Sequence, residues 1–399
     1  MTKILLTSTV PQSLDCFCRG LFLELTDDEY DVAVSSSPGR ELQEINRREG
    51  VRVYPVPMMR RIAPFSDILS LFKLIKVIRR EKPLIIHSFT PKAGLLTMMA
   101  AKICRVPLRI HTFTGLMFPT AKGLKRHILK LTDRLTCKLA SHIVPEGFGV
   151  KADLEKWNIT KKPLKVLGYG NVRGIDLDYY DPAIPELKKE AEKLRDDSVF
   201  TFVFIGRIVR DKGIDELITA FLSLRKDIPS IRLFLIGESE LDSNPISPAT
   251  RQAIIQTDAI ISTGFQEDVR PWLLASDCLV LPSYREGMPN VVIEAGAMGL
   301  PAIVTDINGS NEIIVDGENG LIVPPNAVLP LQNAMKIMVF DPQTRSLMAS
   351  RARLMISSRF DRRHVRACLK NFYLALQKDL PDTPKSDSKA KHKGNTKEL

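Results

Sequence analysis

At 399 residues, with 44% hydrophobic and 26% charged residues, the chain is too long for one ordinary core, too apolar for disorder, and has no run near the ~18 apolar residues of a membrane span. Its six cysteines are scattered without a Cys-x-x-Cys or a histidine cluster, which argues against a disulfide framework or zinc site and for reduced thiols. The net charge of +11 is uneven: residues 1–170 hold 28 Lys/Arg against 15 Asp/Glu and the remainder 29 against 31, so a polyanion (nucleic acid, anionic lipid or a diphosphate-bearing substrate) is expected to meet the first half only.

Short apolar runs alternate with helical patterns, the signal of βαβ units and parallel sheets. Met1 to Val10 has only Ile4–Leu6 as its apolar stretch, too short for a secretory h-region, and is expected to be the first buried strand. Strands are then expected at Asp31–Val34, Val51–Tyr54, Leu84–His87, Leu108–Thr112 and His142–Val144. A helix over 122–140 carries an apolar stripe, Leu124, Ile128, Leu131, Leu135 and Leu139, expected to face the core. Its cations Lys122, Lys125, Arg126, Lys130, Arg134 and Lys138 would then lie on anionic headgroups, an adhesion that salt alone should reverse. A break near Gly168–Asp196 precedes a second strand set at Phe200–Ile205, Ile231–Ile236, Ala259–Ser262, Cys278–Leu281 and Ala302–Val304. The expected order is a first domain 1–170, a linker 171–196, a second domain 197–360, a helix 361–380 packing back on the first domain, and a disordered basic tail 381–399.

Four segments of the second half can carry chemistry. Gly206-Arg207 to Lys212-Gly213 follows a strand directly; glycines allow a tight turn, the next helix offers free N–H groups to phosphate, and Arg207 and Lys212 suit a diphosphate. A Gly-Arg turn with surface cations occurs in many folds, so plain turn chemistry stays open there. Pro282 to Ala295 holds Glu286 in a Gly/Pro loop and Glu294 about a turn into a helix starting near Pro289. Carboxylates accept paired hydrogen bonds from vicinal hydroxyls such as those of a ribose or hexose. Two solvated glutamates fit poorly, because Val291, Val292, Ile293 and Ala295 make the segment apolar. Thr305 to Glu312 with Asp316 to Gly320-Leu-Ile-Val, and Ser262 to Asp268, could each be turn chemistry alone.

Taken together, Gly206-Arg207 to Lys212-Gly213, Gly264-Phe265, Glu286 to Glu294 and Asp316-Gly to Gly320-Leu resemble glycosyltransferase family 4, in order and separation. The resemblance covers about residues 1–378. It implies the α/β GT-B fold, two doubly wound Rossmann-like domains facing across a cleft. It also implies that Arg207 and Lys212 hold a donor diphosphate, that Glu294 binds the ribose, and that Glu286, Gly287, Met288, Pro289 and Asn290 take the transferred sugar. Gly206 would sit in the phosphate turn, and Gly264 and Phe265 would face the base. In the first half, Met59-Arg60-Arg61, His87 to Lys92-Ala-Gly94, and Arg109-Ile-His111-Thr-Phe-Thr114-Gly115 are similar to family 4 enzymes that build capsule, O-antigen or other lipid-linked oligosaccharides. Acceptor-side candidates are thus His87, Lys92, Thr114, Gly115, Arg60 and Arg61, with His111 as a catalytic candidate. His87 and His111 also end buried-looking strands and could be satisfied core imidazoles. Gly168 to Asp176 resembles the family's Gly-rich loop before the linker, with a plain hinge as alternative.

The implied activity is retaining transfer of an N-acetylhexosamine-type sugar from a UDP-sugar, with GDP-sugars as alternative, to an undecaprenyl-diphosphate acceptor. The enzyme is expected in the cytoplasm, peripheral to the inner membrane. The nucleotide sugar is a co-substrate; no resident cofactor or metal is expected, and Asp176-Leu-Asp178 reads as linker. A GT-B epimerase would need first-domain acid/base carboxylates that the sequence does not single out. A nucleic-acid-binding protein would need aromatics among its basic stretches, and no nucleic acid is expected as partner.

Overall fold

Buried on both faces, the apolar runs pair as two six-stranded parallel sheets in a computed structural model that describes residues 1–59, 63–239 and 244–380. The first sheet contains β1 (Thr2–Thr7), β2 (Tyr30–Ser36), β3 (Arg52–Pro55), β4 (Ile85–Phe89), β5 (Leu108–Phe113) and β6 (His142–Pro145), in the order β3-β2-β1-β4-β5-β6. Its helices are α1 (Pro11–Cys18), α2 (Leu21–Asp27), α3 (Arg40–Glu49), α4 (Pro64–Glu81), α5 (Pro91–Ile103), α6 (Gly123–Leu139) and α7 (Phe148–Lys156). The strand order reverses between β1 and β4, so right-handed crossovers put α1–α3 on one face and α4–α6 on the other. Two clusters record this: Ile4 and Leu6 pack with Leu14, Phe22 and Ile45 on one side, and Leu5 and Ile86 with Leu74, Leu96 and Met98 on the other.

After α8 (Pro185–Leu194) the second sheet holds β7 (Phe200–Ile205), β8 (Ile231–Ile236), β9 (Ile260–Gly264), β10 (Cys278–Leu281), β11 (Ala302–Thr305) and β12 (Gly320–Val323), ordered β12-β11-β10-β7-β8-β9. Its helices are α9 (Ile214–Asp227), α10 (Pro248–Gln256), α11 (Arg270–Leu274), α12 (Asn290–Ala297), α13 (Ser310–Ile313), α14 (Val328–Phe340) and α15 (Pro342–Phe360). The last helix, α16 (Arg362–Lys378), returns to the first domain, where Leu369, Phe372, Tyr373 and Leu376 join the α1–α3 cluster. Ile175 N donates to Phe360 O and Arg362 N to Ile175 O, so the chain's two crossings between domains lie side by side.

Two expectations need correction. Gly320–Val323 is a strand, paired with β11 from Ala302↔Gly320 to Thr305↔Val323. The turn residues Asp316 to Asn319 hide so short a strand from a sequence pattern. The stripe of α6 is split: Leu124 is 76% and Leu131 66% exposed, whereas Leu139 packs against the core. The helix instead turns Asp133, Thr136 and Cys137 inward, small or polar residues that let it lie close on its neighbours. Nor do all its cations point to solvent, because Arg126 and Lys130 lie over the Trp157 ring at 4.4 and 4.9 Å. Arg60, Arg61 and the tail 381–399 lie outside the described residues.

Candidate active site

In an open parallel sheet the crevice lies beyond the carboxyl ends of the strands, near where strand order reverses; here both sheets present that edge to one cleft. After β7, Arg207 is exposed and the chain makes a short turn, Arg210–Lys212, into Gly213, the residue before α9. Gly213 has φ 70°, and a Cβ there would fall 2.0 Å from the carbonyl oxygen of Pro282. Only glycine lets this turn press on the loop after β10. The contact delivers Lys212 to that loop, where its Nζ donates to Glu286 Oε1.

The same loop then meets the other domain. A Cβ on Gly287 would lie 2.5 Å from Thr114 O and 2.7 Å from Glu146 Oε2, and one on Gly115 3.3 Å from Gly287 Cα. Thr114 and Gly115 are thus brought to the cleft beside Glu286 and Gly287. Met288 is buried in the second core, Pro289 precedes α12, and Asn290 Oδ1 accepts from Asn171 Nδ2 at 2.9 Å. One turn on, Glu294 is nearly buried, and its Oε1 accepts from Arg173 Nη1 at 2.7 Å. Glu286 and Glu294 therefore have separate cationic partners, Lys212 from the β7 turn and Arg173 from the linker. Beyond β9, Phe265 stands 70% exposed, and it shares a cleft with Glu294, Arg173 and Tyr179 that α1 closes through Gln12, Asp15 and Cys16. Gly206, from the β7 end, and Gly264, from the β9 end, flank β8.

The imidazoles need correction. His111 is 1% exposed, its Nδ1 2.8 Å from Ser88 Oγ, and α5 lies so close at Gly94 that a Cβ there would meet the ring. His87 is equally buried between Tyr373 Oη (2.6 Å) and Thr112 Oγ1 (2.7 Å). Burial pulls both rings down to about 3, leaving them neutral. Both are buried as core imidazoles, His111 against α5 and His87 lining a small internal cavity with Glu146 and Asn171. Lys92 Nζ is 2.5 Å from Asp67 Oδ2, a link between α5 and α4.

Three side chains at the cleft were not singled out by the sequence. Arg173 sits in the Gly168–Asp176 loop, whose readings as a Gly-rich loop or a plain hinge single out no side chain. Glu146 follows β6 in Pro145-Glu-Gly-Phe-Gly149, and burial, with Glu312 and Glu286 nearby, pushes its carboxyl up to about 8. A carboxylate between a strand end and a glycine was the available signal. Glu312, treated as turn chemistry, crosses the cleft: its Oε2 accepts from Phe148 N (2.5 Å) and its Oε1 from Gly149 N (2.9 Å). Among the described residues no group of three or more His, Cys, Asp or Glu could hold a metal ion.

Comparison with known proteins agrees with this geometry. Residues 199–340 match the family model described as glycosyl transferases group 1, and residues 3–144 the one described as glycosyl transferase 4-like. The capsular polysaccharide biosynthesis glycosyltransferase CapM of Staphylococcus aureus is 31% identical over 378 residues, 94% of this chain and 98% of that protein. The UDP-Gal:alpha-D-GlcNAc-diphosphoundecaprenol alpha-1,3-galactosyltransferase of Escherichia coli is 29% identical, covering 84% of this chain and 87% of its own. Anabaena HepE, solved in complex with UDP, superposes with a TM-score of 0.78 at 18% identity, over 94% of this chain and all of that one. With one family model matched in each half and CapM matched over nearly its whole length, the chain belongs to glycosyltransferase family 4.

Proposed function

We propose that this transferase, of the capsule and lipid-linked polysaccharide type, moves a sugar from a UDP-linked donor to an undecaprenyl-diphosphate-linked acceptor at an anionic cytoplasmic membrane surface. An N-acetylhexosamine-type sugar is favoured. The observation that carries the reading is the meeting of Glu286 and Gly287, held by Lys212, with Thr114 and Gly115 of the opposite domain. A donor with its base at Phe265, its ribose hydroxyls on Glu294 and its diphosphate at Arg207, Lys212 and the α9 amino terminus would set its sugar on the Glu286–Asn290 loop. The acceptor hydroxyl would enter from the Thr114–Gly115 side. As its oxygen bonds to the anomeric carbon, the bond to the leaving phosphate breaks and that phosphate takes the hydroxyl proton. Retention of configuration follows from the family resemblance; with Glu286 engaged by Lys212, no nucleophile is assigned.

Cations and helix amino termini offset the leaving charge in this scheme, so no metal is required. Released nucleotide, measured with a panel of nucleotide sugars and a short-chain lipid-diphosphate acceptor, should single out a UDP-sugar and survive EDTA. Arg207→Ala and Lys212→Ala should each lower kcat/KM by about 10²-fold. Near-normal turnover in both variants would remove the donor-site assignment, and loss on chelation restored by Mn²⁺ would remove the metal-free scheme.

A further inference from the structure

The outward face of α4 inverts the usual amphipathic pattern. Ser70, Leu74 and Ile78 face inward, while Phe65 (87%), Ile68 (52%), Leu69 (65%) and Phe72 (64%) are exposed over the first two turns. The same face ends in exposed Lys73, Lys76, Arg79 and Arg80. The first half of α6 likewise shows Leu124 and Leu131, with Lys122 and Lys125 exposed beside them. Both helices flank α5 on one face of the first sheet, and crossover helices run against their strands. Their apolar amino-terminal ends therefore lie toward the carboxyl edge of the sheet, the edge that forms the cleft. At about 8–10 Å per helix spacing, the two apolar rows stand roughly 20 Å apart.

Side chains this large, clustered and uncovered mark a contact surface rather than ordinary exposure. Charge selects the occupant. Between residues 51 and 145 the sequence holds 18 Lys/Arg and only 3 Asp/Glu. Those three acids are all engaged or buried: Asp67 pairs with Lys92, Glu81 with Arg52, and Asp133 lies inside α6. Two copies of so cationic a face would repel each other. Apolar side chains in the middle and cations around them match an anionic bilayer, where the former enter the acyl boundary and the latter stay among headgroups.

We infer that α4 and α6 together form a membrane-insertion face, seating the first domain in an anionic phospholipid bilayer with the cleft mouth at the lipid surface. This rests on the lipid-linked acceptor of the preceding section. It also replaces the salt-reversible adhesion expected from the α6 cations, since inserted side chains persist when charge is screened.

The full chain is to be floated with phosphatidylglycerol/phosphatidylethanolamine vesicles at low salt and at about 1 M salt, where the Debye length is ~3 Å. The wild type should float in both. Phe65→Glu/Leu69→Glu on α4 and Leu124→Glu/Leu131→Glu on α6 should each lower the bound fraction at least about tenfold, most clearly at high salt. Sugar transfer to a water-soluble short-chain acceptor should be unchanged in both, which also shows that they fold. Equal flotation of variants and wild type, or no flotation of wild type, overturns the proposal. So does a wild-type dimer in solution that these variants turn into monomers, since the face would then bind a second copy. Flotation as predicted, with no transfer to any acceptor by wild type, would remove the catalytic reading and leave the surface standing.

Discussion

Arg173 fixes one oxygen of Glu294, and Tyr180 also bonds this carboxylate, which in the proposed donor pose meets the ribose hydroxyls. Asn171 holds Asn290 one helical turn earlier, so a single linker loop grips α12 at two points on the same face. Arg173 is a positioning residue: without it the carboxylate can rotate, and the donor should bind more weakly while the chemical step is little affected. Arg173→Ala should raise the donor KM roughly tenfold with kcat nearly unchanged, and Arg173→Lys should recover part of it. Steady-state kinetics with varied donor checks this; a fall in kcat at constant KM would place Arg173 in the chemistry instead. Glu286 and Glu294 were legible because one loop and the helix it opens hold both, and Lys212 because its strand-turn-helix segment resembles that of family 4. Arg173 and Glu146 were not, since each draws its meaning from a partner over a hundred residues away. His111 stayed open between a site and a core role for a related reason. A histidine at a strand end looks the same whether the next helix stands off or, as α5 does at Gly94, lies against the ring.

Among the helices, α7 has no capping side chain of its own sequence; the residue before it is Gly147. Glu312, from the second domain, supplies the acceptors, bonding the first two N–H groups of α7 as well as Gly309 N. Asn308 Nδ2 adds a bond to Asp153 Oδ2 at 2.6 Å. A helix cap is thus shared between domains and exists only while they are closed. Glu312→Ala should cost about 1–2 kcal/mol, seen as a lower Tm, and should open the domains in small-angle scattering. An unchanged scattering profile would mean that other contacts hold the closure. Strands were the most legible elements, because strands buried on both faces leave near-continuous apolar runs. The α6 stripe was visible too, but a 3.6-residue period reports that a face exists and not which way it points. That was decided by Asp133, Thr136 and Cys137, the residues on its inner side.

Over the whole molecule, closure brings Glu146 of one domain to Glu286 and Glu312 of the other. An unfolded glutamate ionises near its ordinary 4.5, whereas burial holds Glu146 to about 8 in the fold. Between those values the folded protein keeps a proton that the unfolded chain has lost, so this group's contribution to stability falls as pH rises through the window and is level above it. Glu146→Gln, neutral throughout, should therefore raise Tm over wild type by an amount that grows from pH 5 to pH 8 and vanishes toward pH 4. A pH-independent difference in thermal scans would show that Glu146 is already ionised. The division into a basic and a neutral half was legible at this scale because charge counts need no geometry; the closure was not, since it lies in contacts between remote segments. One further consequence comes from α16. Its Tyr373 completes the bonding of His87, and its Gln377 accepts from Thr2 at the start of β1. During synthesis the first domain therefore waits, with part of one face of its sheet still uncovered, until the entire second domain has left the ribosome. The half made first is the half finished last.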